Sequence, residues 1–144
     1  MIVPDANLLH YAYDSKSPFH DRAAHWWSGC LSGRESVGLC GVVLFSFLRI
    51  GTNRRAFIHP MAIDEAAGHV RSWLQRSVTE LLVLEETDLL VAMEWLEAQG
   101  SGGNLTTDAQ IAAIAARYRA TVNTADTDFQ RFRGVRWVNP LVPG

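Results

Sequence analysis

The chain has 144 residues, 48% of them hydrophobic and 19% charged, with a formal net charge of −2. A chain of this size and makeup forms one domain with its own core, without disulfide or metal support, and it is neither disordered nor fibrous. Global attraction to nucleic acid is excluded as well, so any such contact must come from a local patch.

Met1 to Pro4 reads as a brief apolar strand. The next stretch, Asp5-Ala-Asn7-Leu-Leu-His-Tyr-Ala, reads as a helix with Leu8, Leu9 and Ala12 facing inward. Pro18 is expected to open a second helix running to about Ser32 and closed by Gly33, with Trp26 and Trp27 side by side on it. Ser36 to Leu39 is a second strand, followed by a helix from about Val42 to Ile50 and a turn where Arg49, Arg54 and Arg55 cluster. Met61 to Gln75 is amphipathic, Leu81 to Leu84 is a third strand, and Asp88 to Glu97 is another helix. Beyond a glycine-rich loop, a helix from about Thr106 to Arg119 is expected, with Thr106 and Thr107 as N-caps. A strand over Ala120 to Asn123 and an edge strand over Arg136 to Val138 complete the chain. Helices alternating with short buried strands predict an α/β fold with a mainly parallel sheet of four to five strands covered on both faces.

The longest apolar-leaning run, Val37 to Phe45, is about half of the roughly 20 residues a spanning helix needs, and no basic-then-apolar leader opens the chain. A cytoplasmic protein is the expectation. Cys30 and Cys40 fit no metal spacing and read as small buried hydrophobes. Twelve of the thirteen basic residues are Arg, which suits bidentate phosphate contacts and equally reflects coding bias.

The chemistry concentrates at element ends. Asp108 lies in the first turn of its helix, on the stripe continued by Ile111, Ala112 and Ala115, and so points toward a cleft. An acid there also complements the helix dipole at about 0.3–1 kcal/mol without any catalytic duty. Asp126 and Asp128 follow a strand's carboxyl end, the edge at which open α/β sheets bind ligands, and one of the two is expected to serve its turn. Asp5 is another acid between a strand and a helix, where it either caps the helix or joins the others. Right-handed crossovers bring these strand ends to one edge. Carboxylates held that close repel unless some are protonated or a cation sits among them. Hard oxygen donors with no Cys or His pairing select Mg²⁺ or Mn²⁺, which orients water for attack on a phosphodiester. That chemistry predicts a nuclease.

Pro4-Asp-Ala-Asn-Leu-Leu, Phe47-Leu-Arg-Ile-Gly-Thr-Asn, Leu105-Thr-Thr-Asp-Ala, Asp126-Thr-Asp-Phe and Arg136-Trp-Val-Asn-Pro, in that order, resemble the PIN-domain ribonucleases, specifically the VapC-type toxins of bacterial toxin–antitoxin pairs. The resemblance covers nearly the whole chain and implies one PIN-like unit over residues 1–144, a three-layer α/β/α sandwich. It implies Asp5 and Asp108 as the main Mg²⁺ ligands (Mn²⁺ substituting), Asp126 completing the cluster and Asp128 supporting it. An RNA substrate, a small cognate antitoxin and a homodimer are implied as partners. Such antitoxins bind a groove of the N-terminal helices, for which Trp26, Trp27 and Trp73 are candidate linings, and Arg49, Arg54 and Arg55 are candidate RNA contacts.

The chain departs from the family's pattern at Ser46, where a glutamate is usual, and no Asp or Glu occurs from Ser36 to Ile63. One well-held ion is therefore the expectation. Two rivals remain. A haloacid-dehalogenase-type phosphatase would need a second Asp where Asn7 stands and a later Lys, and Lys16 is the single lysine. A PIN-like RNA- or protein-binding module without full catalytic power would follow from Ser46.

Overall fold

A computed structural model describes residues 1–143. Its five strands are β1 (Ile2–Pro4), β2 (Val37–Cys40), β3 (Thr79–Leu82), β4 (Thr121–Asn123) and β5 (Arg136–Val138). They form one sheet in the order β3-β2-β1-β4-β5, parallel at every junction. The helices are α1 (Ala6–Tyr13), α2 (His20–Ser32), α3 (Gly41–Gly51), α4 (Ile63–Leu74), α5 (Glu86–Gln99) and α6 (Leu105–Arg117), with a 3-10 turn at Thr127–Arg131.

Strand order decides the layers. From β1 to β2 to β3 the chain steps outward in one direction, and right-handed crossovers put α1 to α4 on one face. The step from β3 back to β4 runs the other way and puts α5 and α6 on the opposite face, where they pack against each other. Because all strands are parallel, every carboxyl end lies on one edge of the sheet.

The α1–α4 side is held by aromatic packing. Phe47 and Trp73 are fully buried with ring centroids 4.8 Å apart, Trp27 meets Trp73 edge-on at 5.4 Å, and the Trp73 indole N–H donates to the Tyr13 hydroxyl at 2.9 Å. Each such ring contributes about 1.5–3 kcal/mol by burial. On the other face, Ala109, Ile111, Ala112, Ala113, Ile114 and Ala115 of α6 are all buried. The small side chains of its four buried alanines let the helix lie close to the sheet, and its first turn comes to the carboxyl edge. Near the other end of α6, Arg117 donates to the buried Asp88 at 2.9 Å and to the Val83 carbonyl, tying α6 to the start of α5. Cys30 and Cys40 are free and buried, as expected.

Several boundaries differ from the expectation. α6 begins at Leu105 behind Asn104, and Thr106 does not cap it: its hydroxyl donates to the Gly103 carbonyl at 2.7 Å. Its end comes at Arg117 because Arg119 takes a left-handed turn (φ 53) into β4. Pro18 lies in a turn before α2, which opens at His20. β3 is Thr79–Leu82, so the apolar Val83 and Leu84 fall beyond it and are exposed. Ala62 and Leu74 are exposed too, which narrows the buried stripe of α4 to Ala66 and Trp73.

Candidate functional site

Four acids reach the carboxyl edge of the sheet from three places in the chain. Asp5 follows β1 and caps α1: its Oδ1 accepts the Ala6 N–H at 2.8 Å. Its Oδ2 accepts the Thr124 hydroxyl at 2.8 Å and the Asn7 amide at 3.4 Å. The Asp5 N–H donates to the Asn123 carbonyl, extending the β1–β4 ladder to the site. Asp126 and Asp128 stand at the 3-10 turn after β4, with Asp126 Oδ1 accepting the Asp128 N–H at 2.8 Å. One oxygen of Asp126 is therefore committed to its turn, and the other is free of that bond. Asp108 arrives on the first turn of α6.

Asp108, Asp126 and Asp128 each present a carboxylate oxygen within 4.8 Å of the others, and all three are part-buried. Asp5 is not one of this trio; it is buried and accepts bonds on both carboxylate oxygens. The electrostatics join all four. The Asp108 carboxyl is pushed up to about 7, first by burial and then by the charges of Asp5, Asp126 and Asp128. Burial raises Asp5 as well, the bonds from Thr124 and Ala6 work against that rise, and Asp126 adds to it. An acid edge this crowded either holds a proton near neutral pH or takes up a cation. The donor set fits a hard divalent cation: three converging carboxylate oxygens with no thiolate or imidazole among them.

Asn7 and Thr124 are the residues that sequence reasoning missed. The Asn7 amide donates to Thr124 Oγ1 at 3.3 Å, its carbonyl accepts the Ala125 N–H, and Thr124 Oγ1 also accepts the Asp126 N–H at 3.0 Å. Together they lock Asp5 and Asp126 in place across the β1–β4 junction. Their positions, two residues after Asp5 and directly after β4, were the available signal.

Of the basic residues, Arg49 lines a hollow of about 340 Å³ with Val42, Phe45, Ser46 and Thr107, the neighbour of Asp108 in the chain. Ser46 thus shares a hollow with Thr107. Arg54 and Arg55 stand exposed on the turn beyond α3, outside that hollow. Trp73 is fully buried in the core and Trp26 is half-buried, whereas Trp27 forms the floor of a groove of about 330 Å³ beside Tyr13, Leu31 and Arg76. Among the histidines, His10 is a packing residue, stacked on Phe47 at 5.4 Å.

Residues 2–135 match the PIN domain. The chain belongs to the PIN-domain family. Within it, the chain is 40% identical over 141 residues to the ribonuclease VapC33 of Mycobacterium tuberculosis, covering 98% of this chain and 99% of that one. Solved structures share the architecture. The Mycobacterium tuberculosis toxin VapC20, described as cleaving the sarcin–ricin loop, superimposes with a TM-score of 0.70 at 19% identity over 94% of this chain and 99% of that one. VapBC-1 of nontypeable Haemophilus influenzae gives 0.68 at 17% identity over 97% and 98%. This PIN-domain chain is accordingly a VapC-type ribonuclease in kind, as its motifs led one to expect, and the phosphatase alternative falls. Among the described residues no helix is long and apolar enough to cross a membrane.

Proposed function

We propose that this chain is the toxin of a toxin–antitoxin pair and cuts cellular RNA with a divalent cation, Mg²⁺ or Mn²⁺ in its place, held by Asp108, Asp126 and Asp128 with Asp5 adding its charge. The observation that carries this reading is the convergence of the three carboxylates to within 4.8 Å at the edge where α/β sheets place their ligands. When bound, the cation polarises the scissile phosphate and makes water a better nucleophile at neutral pH. The chain's own part is to hold and release charge. Asp108 carries a proton below about pH 7 and must lose it before it can act as a ligand. Thr124 and Asn7 keep Asp5 and Asp126 from turning away when that charge appears. Arg49 is the candidate RNA contact that shares a hollow with Thr107, the chain neighbour of Asp108, and its proposed role is to meet a backbone phosphate. Arg54 and Arg55 contribute at most to the more distant strand.

The groove floored by Trp27 is the proposed seat of the antitoxin, since α1 and α2 border it and an apolar floor with a charged rim suits a peptide partner. A homodimer is proposed across the open edge of β3, where Leu81 and Val83 are 53% and 65% exposed.

The deciding experiment treats total cellular RNA with purified, antitoxin-free protein under Mg²⁺, Mn²⁺ or chelator, beside Asp108→Asn, and maps the new ends. Discrete metal-dependent ends that the variant does not make are expected. Folded protein that makes no cut under any metal refutes the catalytic reading and favours the binding module that Ser46 leaves open.

A further inference from the structure

On α3 the buried residues Val43, Leu44 and Phe47 face the core, while Val42, Phe45, Ser46 and Arg49 fall at i, i+3, i+4 and i+7 and form one outward stripe. Phe45 is the most prominent member, 71% exposed. A single exposed apolar side chain is ordinary on any surface. This one lies in the hollow whose far wall is Thr107, one residue from Asp108, and whose only charge is Arg49. Among the described residues Arg49 has no acidic partner. A hollow that combines an aromatic face, two hydroxyls and an unpaired guanidinium, with no acid of its own, is complementary to a ligand that is flat at one end and anionic at the other. Its volume of about 340 Å³ is within the roughly 300–1,000 Å³ of small-ligand sites and accepts a nucleobase with its sugar-phosphate.

We propose that Phe45 is the stacking platform for a nucleobase of single-stranded RNA next to the scissile phosphate, with Arg49 taking the adjoining phosphate. The proposal rests on the ribonuclease reading and adds to it a positioning residue, Phe45, on whose ring a base can lie only once it has left its helix. Stacking tolerates any base, so Phe45 sets where the strand lies more than which letter is read.

The test measures binding of a short, fluorescently labelled single-stranded RNA in chelator, where nothing turns over, by wild type, Phe45→Ala, Phe45→Leu and Phe45→Trp. KM and kcat on the same RNA in Mn²⁺, Mn²⁺ affinity by calorimetry and oligomeric state by sedimentation are measured in parallel. Phe45→Ala and Phe45→Leu should weaken binding about tenfold to a hundredfold and raise KM, while Phe45→Trp retains wild-type affinity and all variants keep wild-type Mn²⁺ affinity. Wild-type affinity in Phe45→Leu overturns the proposal, because an apolar contact without a ring would then suffice. A defect that follows loss of self-association overturns it also, by assigning Phe45 to a protein contact. Wild-type protein that binds RNA through Phe45 yet never cuts it would refute the ribonuclease reading and leave this inference standing. Protein that neither cuts nor binds refutes both.

Discussion

Replacing Asp108 by Asn removes one of four mutually repelling carboxylates, and the effect on stability depends on pH. In the folded chain the Asp108 carboxyl is pushed from 3.8 to about 7, by burial first and then by Asp5, Asp126 and Asp128. Between these values the folded chain keeps a proton that the unfolded chain has released. Stability therefore falls as pH rises through the window and is regained below it. At 1.36 kcal/mol per pH unit the full displacement is about 4 kcal/mol. Asp108 is only part-buried, and solvent screening brings the contribution down to about 2 kcal/mol. Asn carries no charge at any pH. Asp108→Asn should match wild type near pH 4 and exceed it by about 2 kcal/mol near pH 8, a rise of about 6–8 °C in Tm for a chain of this size. Urea unfolding of both proteins without metal, across that range, gives the difference at each pH and cancels every other titrating group. Saturating Mg²⁺ should then close or invert the gap, because only the wild type gains a ligand. A variant no more stable than wild type near pH 8, or a gap that does not change with pH, would refute the account of four coupled carboxylates.

Ser46→Glu should tighten Mn²⁺ binding by adding a charge on the α3 side of the site, and an unchanged calorimetric titration would mean that residue 46 does not face the acids. Arg117→Ala strands Asp88, which is 2% exposed, without its counter-charge and should cost about 3 kcal/mol in urea unfolding while cleavage per folded molecule stays the same. His10 works opposite to Asp108: burial, outweighing the opposing pull of Asp14, lowers its imidazole from 6.5 to about 4, so the unfolded chain binds the extra proton and stability drains away as pH falls through that window. His10→Leu should abolish about 3 kcal/mol of that acid sensitivity, measured as the difference in unfolding free energy between about pH 7 and pH 4.

Much of this was legible from local pattern. The Asp108 stripe works because three- and four-residue spacing places Ile111, Ala112 and Ala115 on one face, and all three are buried. Asp5 was readable both as a cap and as a site acid: one oxygen does cap α1, and the other accepts the Thr124 hydroxyl. What stayed hidden depends on contacts far apart in the chain. Thr124 bonds Asp5 across 119 residues and Asn7 bonds Thr124 across 117, pairings that no window of sequence displays. Asp128 reads as a supporter from sequence, yet the 3-10 geometry swings it level with Asp108 and Asp126. The end of β3 was misplaced because Val83 and Leu84 continue the apolar run after the chain has left the sheet. Arg49 parted from Arg54 and Arg55 because the helix ends between them at Gly51, within one residue of the end expected at Ile50, whereas the sharing of one hollow by Arg49 and Thr107 depends on the packing of α3 against α6.

The placement of β1 beside β4 has a consequence for synthesis. Asp5 is made more than a hundred residues before its bonding partner Thr124 and two of the three converging acids, all of which follow β4. Any product released before Thr121 lacks Thr124 and both of those acids, and its β1 has only β2 alongside. The cluster is thereby completed only when the end of the chain folds back onto the first strand, and a copy truncated between Asp108 and Thr121 keeps Asp5 and Asp108 without the two acids that converge on Asp108.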